Sequence, residues 1–210
     1  MHSLVKYSNK LVSIVLIIQE VSLLVSFCGL KENIDLGRHV LLDTRKAYPY
    51  GFLSNSRYST FSAKMNPKIE EILGEKILKM RDIVDFEKRK GHDSYEAVKY
   101  AVAKTGAANC GEQAILLSDQ MNNQGIANKI VSMEIYRKNS SFPNKGHTFC
   151  LIGLDKNAKL SDPSTWGKDA VAVDLWSNSV EQAQKALRNF FKIFGYDKKK
   201  NDVKFFSVFI

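Results

Sequence analysis

Apolar side chains first recur at helical spacing along this chain and later alternate as in strands. Asn66-Pro67 opens a predicted helix, with Asn as cap and Pro at the first helical position. Ile69, Ile72, Leu73, Ile77, Met80 and Val84 form its inner stripe, and Gly91 ends it. Asp93 or Ser94 starts a second helix that runs to about Lys104, with Ala97, Val98 and Ala101 inward and Gly106 closing it. Asn109 is a good cap for a third, and Glu112 three residues on completes the Asn form of a capping box. The spacing predicts this helix over 110–124, ending before Gly125. Ala114, Ile115, Leu117 and Met121 give it a broad apolar face, so it should be largely buried.

Strand-like runs follow. Ile130 to Tyr136 alternates and is rich in branched residues, His147 to Leu154 forms the next strand, and Ala170 to Trp176 another. A polar loop with Pro143 separates the first two, and turn formers fill Asp155 to Lys168. Ser179 and Gln182 read as a capping box for a last long helix. Its predicted inward face is Val180, Ala183, Ala186, Leu187, Phe190 and Phe194. Val203 to Ile210 reads as a closing strand. There is no internal repeat.

The first 64 residues fit neither pattern. Leu11 to Leu30 is nearly apolar, preceded by Lys6 and Lys10. Three readings stand: a secretory signal with Ser26 and Cys28 before a cut at Gly29, a membrane anchor, or a buried helix. Glu20 lies at the middle of that stretch, where a carboxylate costs roughly 2.5–3.5 kcal/mol on insertion scales. The chain thus divides into an apolar segment 1–30, a connecting segment 31–64 with turn residues Pro49, Gly51, Ser54 and Asn55, and a domain over 65–210. The expected location is secreted or host-targeted, with membrane contact through residues 11–30 as a second option.

Composition narrows the classes. The chain has 210 residues, 44% of them hydrophobic, which suits a globular domain. It carries 31 basic against 22 acidic side chains, a net charge of +9. That favours acidic partners or a membrane surface in general terms. The tight cluster Lys198-Lys199-Lys200 reads as a solvated loop, and no nucleic-acid-binding motif accompanies it, so no nucleic acid partner is expected. Three cysteines, Cys28, Cys110 and Cys150, show no disulfide spacing. The four histidines at 2, 39, 92 and 147 are scattered and no metal-ligand motif occurs. No metal and no cofactor are expected.

The chemistry lies at three positions. Cys110 sits in Gly106-Ala-Ala-Asn-Cys-Gly-Glu-Gln113, a thiol at a helix start behind small residues. His147 lies in Lys145-Gly-His-Thr-Phe-Cys150, and Asp174 in Val171-Ala-Val-Asp-Leu-Trp176. A helix N-terminus and a neighbouring imidazolium both favour the thiolate over the thiol. His147 would supply that imidazolium and later protonate a leaving amine. Asp174 would accept a hydrogen bond from the other ring nitrogen and orient it. The Cys110 backbone N–H is one natural oxyanion donor, with the Gln113 side chain considered for the second. Strand alternation puts His147, Phe149 and Leu151 on one face and Cys150 on the other. Ala172, Asp174 and Trp176 share a face. If the two strands are antiparallel neighbours, His147 and Asp174 meet on the side covered by the Cys110 helix. Asp155, Asp162 and Asp169 are rival carboxylates in turn-like sequence. Trp176 reads as core packing, and Cys28 and Cys150 as structural.

Taken together, Asn109-Cys110-Gly111-Glu112, Gly146-His147 and Val173-Asp174-Leu175-Trp176 resemble the transglutaminase-like branch of the papain-like cysteine hydrolases. The closest likeness is to transglutaminase-like effector proteins of bacterial pathogens, and it covers about residues 92–178. The resemblance implies an α+β fold in which N-terminal helices and a buried Cys-bearing helix pack on an antiparallel sheet carrying His and Asp. It implies a Cys110–His147–Asp174 triad acting on amide bonds of a protein or peptide, by proteolysis, glutamine deamidation or transglutamination. The papain Cys-Gly-Ser-Cys-Trp signature is absent. The alternatives are a non-catalytic interaction module with the same fold and an arylamine-type N-acyltransferase.

Overall fold

A computed structural model of the chain describes residues 29–49, 51–54 and 66–208. The apolar segment expected as signal, anchor or buried helix lies, but for its last two residues, outside the described residues. Four helices come first: α1 (Leu30–Ala47), α2 (Pro67–Arg89), α3 (Ser94–Thr105) and α4 (Cys110–Asn123). Then follow β1 (Asn128–Arg137), β2 (Pro143–Ile152), β3 (Val171–Asp174), β4 (Ser179–Gln182), helix α5 (Ala183–Phe194) and β5 (Asn201–Ser207). The architecture is α+β. The five strands form one sheet in the order β4-β3-β2-β1-β5, every neighbouring pair antiparallel.

The helix starts are set by their caps. The Asn66 side chain accepts the Lys68 N–H at 3.1 Å, and Asp93 accepts the Glu96 N–H at 2.9 Å. Gly106 ends α3 with φ of 66°, a left-handed conformation that costs glycine nothing and most residues about 1 kcal/mol or more.

The sheet is covered on both faces. On one face α4 lays Ala114, Leu117 and Met121, and α1 lays Val40 and Leu41, over Ile130, Cys150, Ile152, Val171 and Val173. On the other, Ala183, Ala186, Leu187, Phe190 and Phe194 of α5 cover Met133, Phe149, Leu151 and Ala172, joined by Trp166 and Trp176. A third cluster fastens α2 and α3 to the back of α4 through Ile77, Met80, Val84, Val98, Val102 and Leu116. Because residues 149–152 of β2 and 171–173 of β3 are covered on both faces, these stretches read as continuous apolar runs, whereas the start of β2, residues 143–146, is exposed.

Three expectations change. The connecting segment begins with an 18-residue helix, α1. Its inner positions are Asn33, Gly37, Val40, Leu41 and Thr44, a helical repeat carried mostly by small and polar side chains. The Asn33 side chain donates to the Asp169 carbonyl at 2.9 Å, and the Leu30 N–H donates to the Asp169 carboxylate at 3.1 Å. Next, Ile69 and Ile72 of α2 are exposed, and the buried stripe of that helix begins only at Ile77. Finally, Ser179–Gln182 is an edge strand rather than a helix cap. It pairs Asp174 with Ser179 across a turn in which Asn178 takes φ of 58°. Helix α5 begins only at Ala183, whose N–H donates to the Ala170 carbonyl at 2.8 Å.

Gly37 marks the closest approach of α1 to the sheet. A Cβ there would lie 2.8 Å from a Val173 methyl and 2.9 Å from a Val180 methyl. Valine is short and stiff, so neither neighbour can swing away. Gly37→Val should therefore destabilise the protein by about 1–3 kcal/mol through overpacking, read as a lower urea midpoint. An unchanged or higher midpoint would show that α1 is not seated as described.

Candidate active site

Cys110 is the first residue of α4, and bonds from within the helix, from α2 and from the segment 51–54 hold that helix start in place. The Glu112 side chain accepts the Asn109 N–H at 3.0 Å and completes the capping box with Asn109. Arg81 of α2 donates to the same Glu112 carboxylate at 3.0 Å. The buried Gln113 amide donates to the Ala108 carbonyl at 2.8 Å. It therefore fixes the loop before Cys110 and is not positioned as the second oxyanion donor. Alongside runs the segment 51–54: the Leu53 N–H donates to the Gly106 carbonyl at 2.8 Å, and the Ala108 N–H to the Leu53 carbonyl at 3.0 Å. Ser54 then donates to the Asn109 side chain at 2.7 Å and accepts the Trp176 indole N–H at 3.3 Å. One buried hydroxyl thus ties the helix cap to the turn beyond β3.

His147 and Asp174 meet as expected. The His147 Nε2 and an Asp174 carboxylate oxygen are 2.8 Å apart, and both residues are 1% exposed. The pairing of β2 with β3 puts Cys150 opposite Val173, so Asp174 lies just beyond the paired stretch and His147 three residues past Cys150. Alternation brings both to one face. Asp174 is fully engaged: it also accepts the Trp176 N–H at 3.0 Å and the Ser177 hydroxyl. Ser177 in turn contacts the Ser179 hydroxyl at 2.8 Å. These donors satisfy carboxylate oxygens that are sealed from water.

The His147 ring is enclosed by aromatic rings. Phe190 and Trp176 lie at centroid distances of 4.7 Å and 4.8 Å, Phe194 at 5.5 Å and Phe149 at 6.0 Å. Its second nitrogen, Nδ1, is buried and makes no hydrogen bond of normal geometry among the described residues. Cys110 packs against the cluster on this side of the sheet, and its presence favours the protonated ring. Burial by itself would push the imidazole's proton affinity down. The Asp174 charge and hydrogen bond, helped by Cys110, overcome that and raise the pKa from 6.5 to about 9. His147 is an imidazolium at neutral pH.

One geometric expectation is corrected. The body of α4 covers the sheet face opposite to His147 and Asp174; α5 covers theirs. Only the start of the helix reaches the pair, with half-buried Cys110 packed against the His147-side cluster. The physical reason is the brevity of β3. Its ladder with β2 stops at Cys150, so the β3 side of His147 is open to a group arriving from another element.

Cys150 points to the α4 face, as the alternation implies, and its thiol donates to the Ala114 carbonyl at 3.3 Å. Complete burial pushes that thiol's pKa far up, so it stays protonated. The rival carboxylates take loop roles. Asp162 caps the short Pro163–Thr165 turn through the Ser164 N–H at 3.0 Å, and Asp169 anchors α1. No group of three or more His, Cys, Asp or Glu residues suited to a metal ion occurs among the described residues.

Sequence reasoning missed Ser54, Ser177 and the role of Trp176. Ser177 had a signal, since an Asp followed at i+2 and i+3 by residues that bond back to it is a common turn. Trp176 is core packing as read, and it also walls the His147 ring. Ser54 had none, because its partners lie 55 and 122 residues away. Searches against protein-family models, curated proteins and solved structures found no match to this chain.

Two outcomes follow. The folded state holds the His147 proton more tightly than the unfolded chain does. Its stabilising contribution, about 3 kcal/mol, is complete below pH 6.5 and is lost as pH rises through about 9. The urea midpoint of the wild type should therefore fall across that interval more steeply than that of His147→Gln; parallel slopes would refute the raised pKa. Ser54→Ala removes the tie between Asn109 and Trp176 and should cost about 1–2 kcal/mol. A midpoint within error of wild type would remove Ser54 from the support of the site.

Proposed function

We propose that this chain is a cysteine-dependent amide hydrolase or acyltransferase with Cys110 as nucleophile, His147 as acid and base, and Asp174 as the orienting group. The reading is supported above all by the convergence on one buried imidazole of a thiol from a helix start and a carboxylate from a neighbouring strand. The three residues are far apart in sequence, 27 positions separating His147 from Asp174 alone. Of the three, Cys110 is the group solvent reaches, whereas His147 and Asp174 are sealed. Chemistry therefore happens at the sulfur, with the pair acting from behind.

The proposed sequence has two stages. The Cys110 thiolate attacks the carbonyl carbon of an amide, and the carbon–sulfur bond forms. The negative oxygen that develops lies against the N–H groups of the first turn of α4, where the helix dipole favours it. As the carbon–nitrogen bond breaks, His147 gives its proton to the departing amine, leaving an acyl thioester. Water or a second amine then attacks the thioester, with His147 taking its proton, and the thiolate is released. Water yields proteolysis or deamidation; an amine yields transglutamination. A protein or peptide substrate suits all three.

The same arrangement, a Cys-bearing helix on an antiparallel sheet with His and Asp on adjacent strands, supports assigning the chain to the transglutaminase-like, papain-like group. The runner-up is a non-catalytic module, favoured only by the deep burial of His147 and Asp174.

Cys110→Ala should abolish modification of candidate protein substrates, a loss of at least about 10³-fold followed by intact mass. Asp174→Asn should lower activity by about 10²–10⁴-fold and move the alkaline limb of the rate profile from about pH 9 to lower pH, because the carboxylate holds the ring proton. Iodoacetamide should label Cys110 stoichiometrically at mildly acidic pH, more slowly in His147→Ala. A Cys110 as sluggish as a free thiol and indifferent to His147 would leave the non-catalytic module as the better reading.

A further inference from the structure

The end of the molecule formed by the β1–β2 turn and the α5–β5 loop takes no part in the site. It carries six cations, Arg137, Lys138, Lys145, Lys198, Lys199 and Lys200, against the carboxylates Asp197 and Asp202. The two loops form one surface. The Lys138 N–H donates to the Lys200 carbonyl at 3.0 Å, and the Lys145 ammonium donates to the Phe194 carbonyl at 2.9 Å. Between them opens a cavity of about 540 Å³ whose walls include Arg137, Lys138 and Lys200.

On the β1–β2 turn, directly before β2, stands Phe142, 80% exposed. Local bonds hold it out. The Ser140 N–H donates to the Arg137 carbonyl at 3.0 Å, with Asn139 in the left-handed region at φ of 66°. The Ser140 hydroxyl donates to the Phe142 carbonyl at 2.9 Å and accepts its N–H at 3.3 Å. Pro143 follows and restricts the backbone further. A turn this well bonded presents an aromatic ring to solvent when it could have placed a polar side chain there.

We propose that this end of the protein docks on an anionic lipid bilayer, with Phe142 inserted at headgroup depth and the six cations over the negatively charged headgroups. Cations and an exposed ring occur together at this end of the protein. An acidic protein surface would satisfy the cations without calling for an exposed ring, and the single exposed ring at this end is not the series of aromatic platforms on which successive nucleic-acid bases stack. A bilayer offers an anionic layer with hydrocarbon directly beneath it, which matches a cationic rim around a protruding apolar tip. Each cation near such a surface strengthens binding by about fivefold, and the effect fades within a Debye length. Docking would also place the site close to the membrane. His147 lies five residues along β2 from Phe142, roughly 17 Å at strand spacing. The proposal does not depend on the chemistry assigned to Cys110.

The test is co-sedimentation of the full chain with phosphatidylcholine vesicles, with and without phosphatidylserine. Phosphatidylserine should strengthen binding. Lys198→Gln, Lys199→Gln and Lys200→Gln together should weaken the phosphatidylserine-dependent part by roughly 100-fold, and Phe142→Ser by about tenfold. Phe142→Trp should retain binding and show a blue shift of the added tryptophan emission on vesicles containing phosphatidylserine. Binding indifferent to phosphatidylserine, or unchanged in both the lysine and the Phe142→Ser variants, would overturn the proposal. So would loss in the lysine variant alone with no shift in Phe142→Trp, which would point to a soluble acidic partner. Any binding through the apolar segment 11–30 would be common to all variants and cancels in the comparison.

Discussion

A single buried contact organises this fold's chemistry: the His147 imidazolium against the Asp174 carboxylate at 2.8 Å, each residue 1% exposed. Two charges in such a place are costly to desolvate, and their attraction alone often only offsets that cost. Here the surroundings supply the remainder. Asp174 accepts from the Trp176 backbone and the Ser177 hydroxyl, so its charge does not rest on the histidine alone. Four aromatic rings enclose the imidazole at centroid distances of 4.7 Å to 6.0 Å and keep it from solvent. Removing either charge would strand the other in that enclosure, on the order of 3–5 kcal/mol. Well-packed apolar residues could fill the same volume without this exposure to failure, and the proposed acid–base role accounts for why they do not.

The rest of the structure can be read as the means of bringing one thiol to that pair. The short β3 ends its ladder at Cys150 and keeps one side of His147 free of strand. Helix α4 lies on the far face, anchored through Ala114, Leu117 and Met121, and only its first residue extends to the ring. That reach is fixed from several directions: Glu112 with Arg81 from α2, Gln113 from within the helix, and Ser54 from the segment that follows α1. Helix α1 is itself fastened to the loop before β3 by Asn33 and Asp169. For the proposed acyl transfer such positioning would matter, because reactions of this kind lose rate steeply when reacting groups are misplaced by an ångström.

Much of this was legible in the sequence. Caps and stops did most of the work: Asn66-Pro67, Asp93, Asn109 with Glu112, Gly106 and Gly125 bracket three helices within a residue or two. The alternation of β2 correctly separated His147 from Cys150. Helix α1 was not legible, because its buried stripe is written in Asn33, Gly37 and Thr44, which carry no hydrophobic signal. Strand β4 was misread because Ser179 and Gln182 have capping-box spacing, and the choice between cap and edge strand is made by hydrogen bonds to β3. The face occupied by α4 was misplaced for a similar reason. Local pattern says which side of a strand a residue occupies, but the length of the neighbouring strand decides what can approach it.

Cys110, His147 and Asp174 are proposed to behave as one electrostatic unit, which an NMR titration of the His147 ring resonances in the wild type and in Cys110→Ala would test. The wild-type ring should stay protonated until about pH 9 and titrate at lower pH once the sulfur is removed. A ring that titrates near its ordinary 6.5 in both proteins would contradict it.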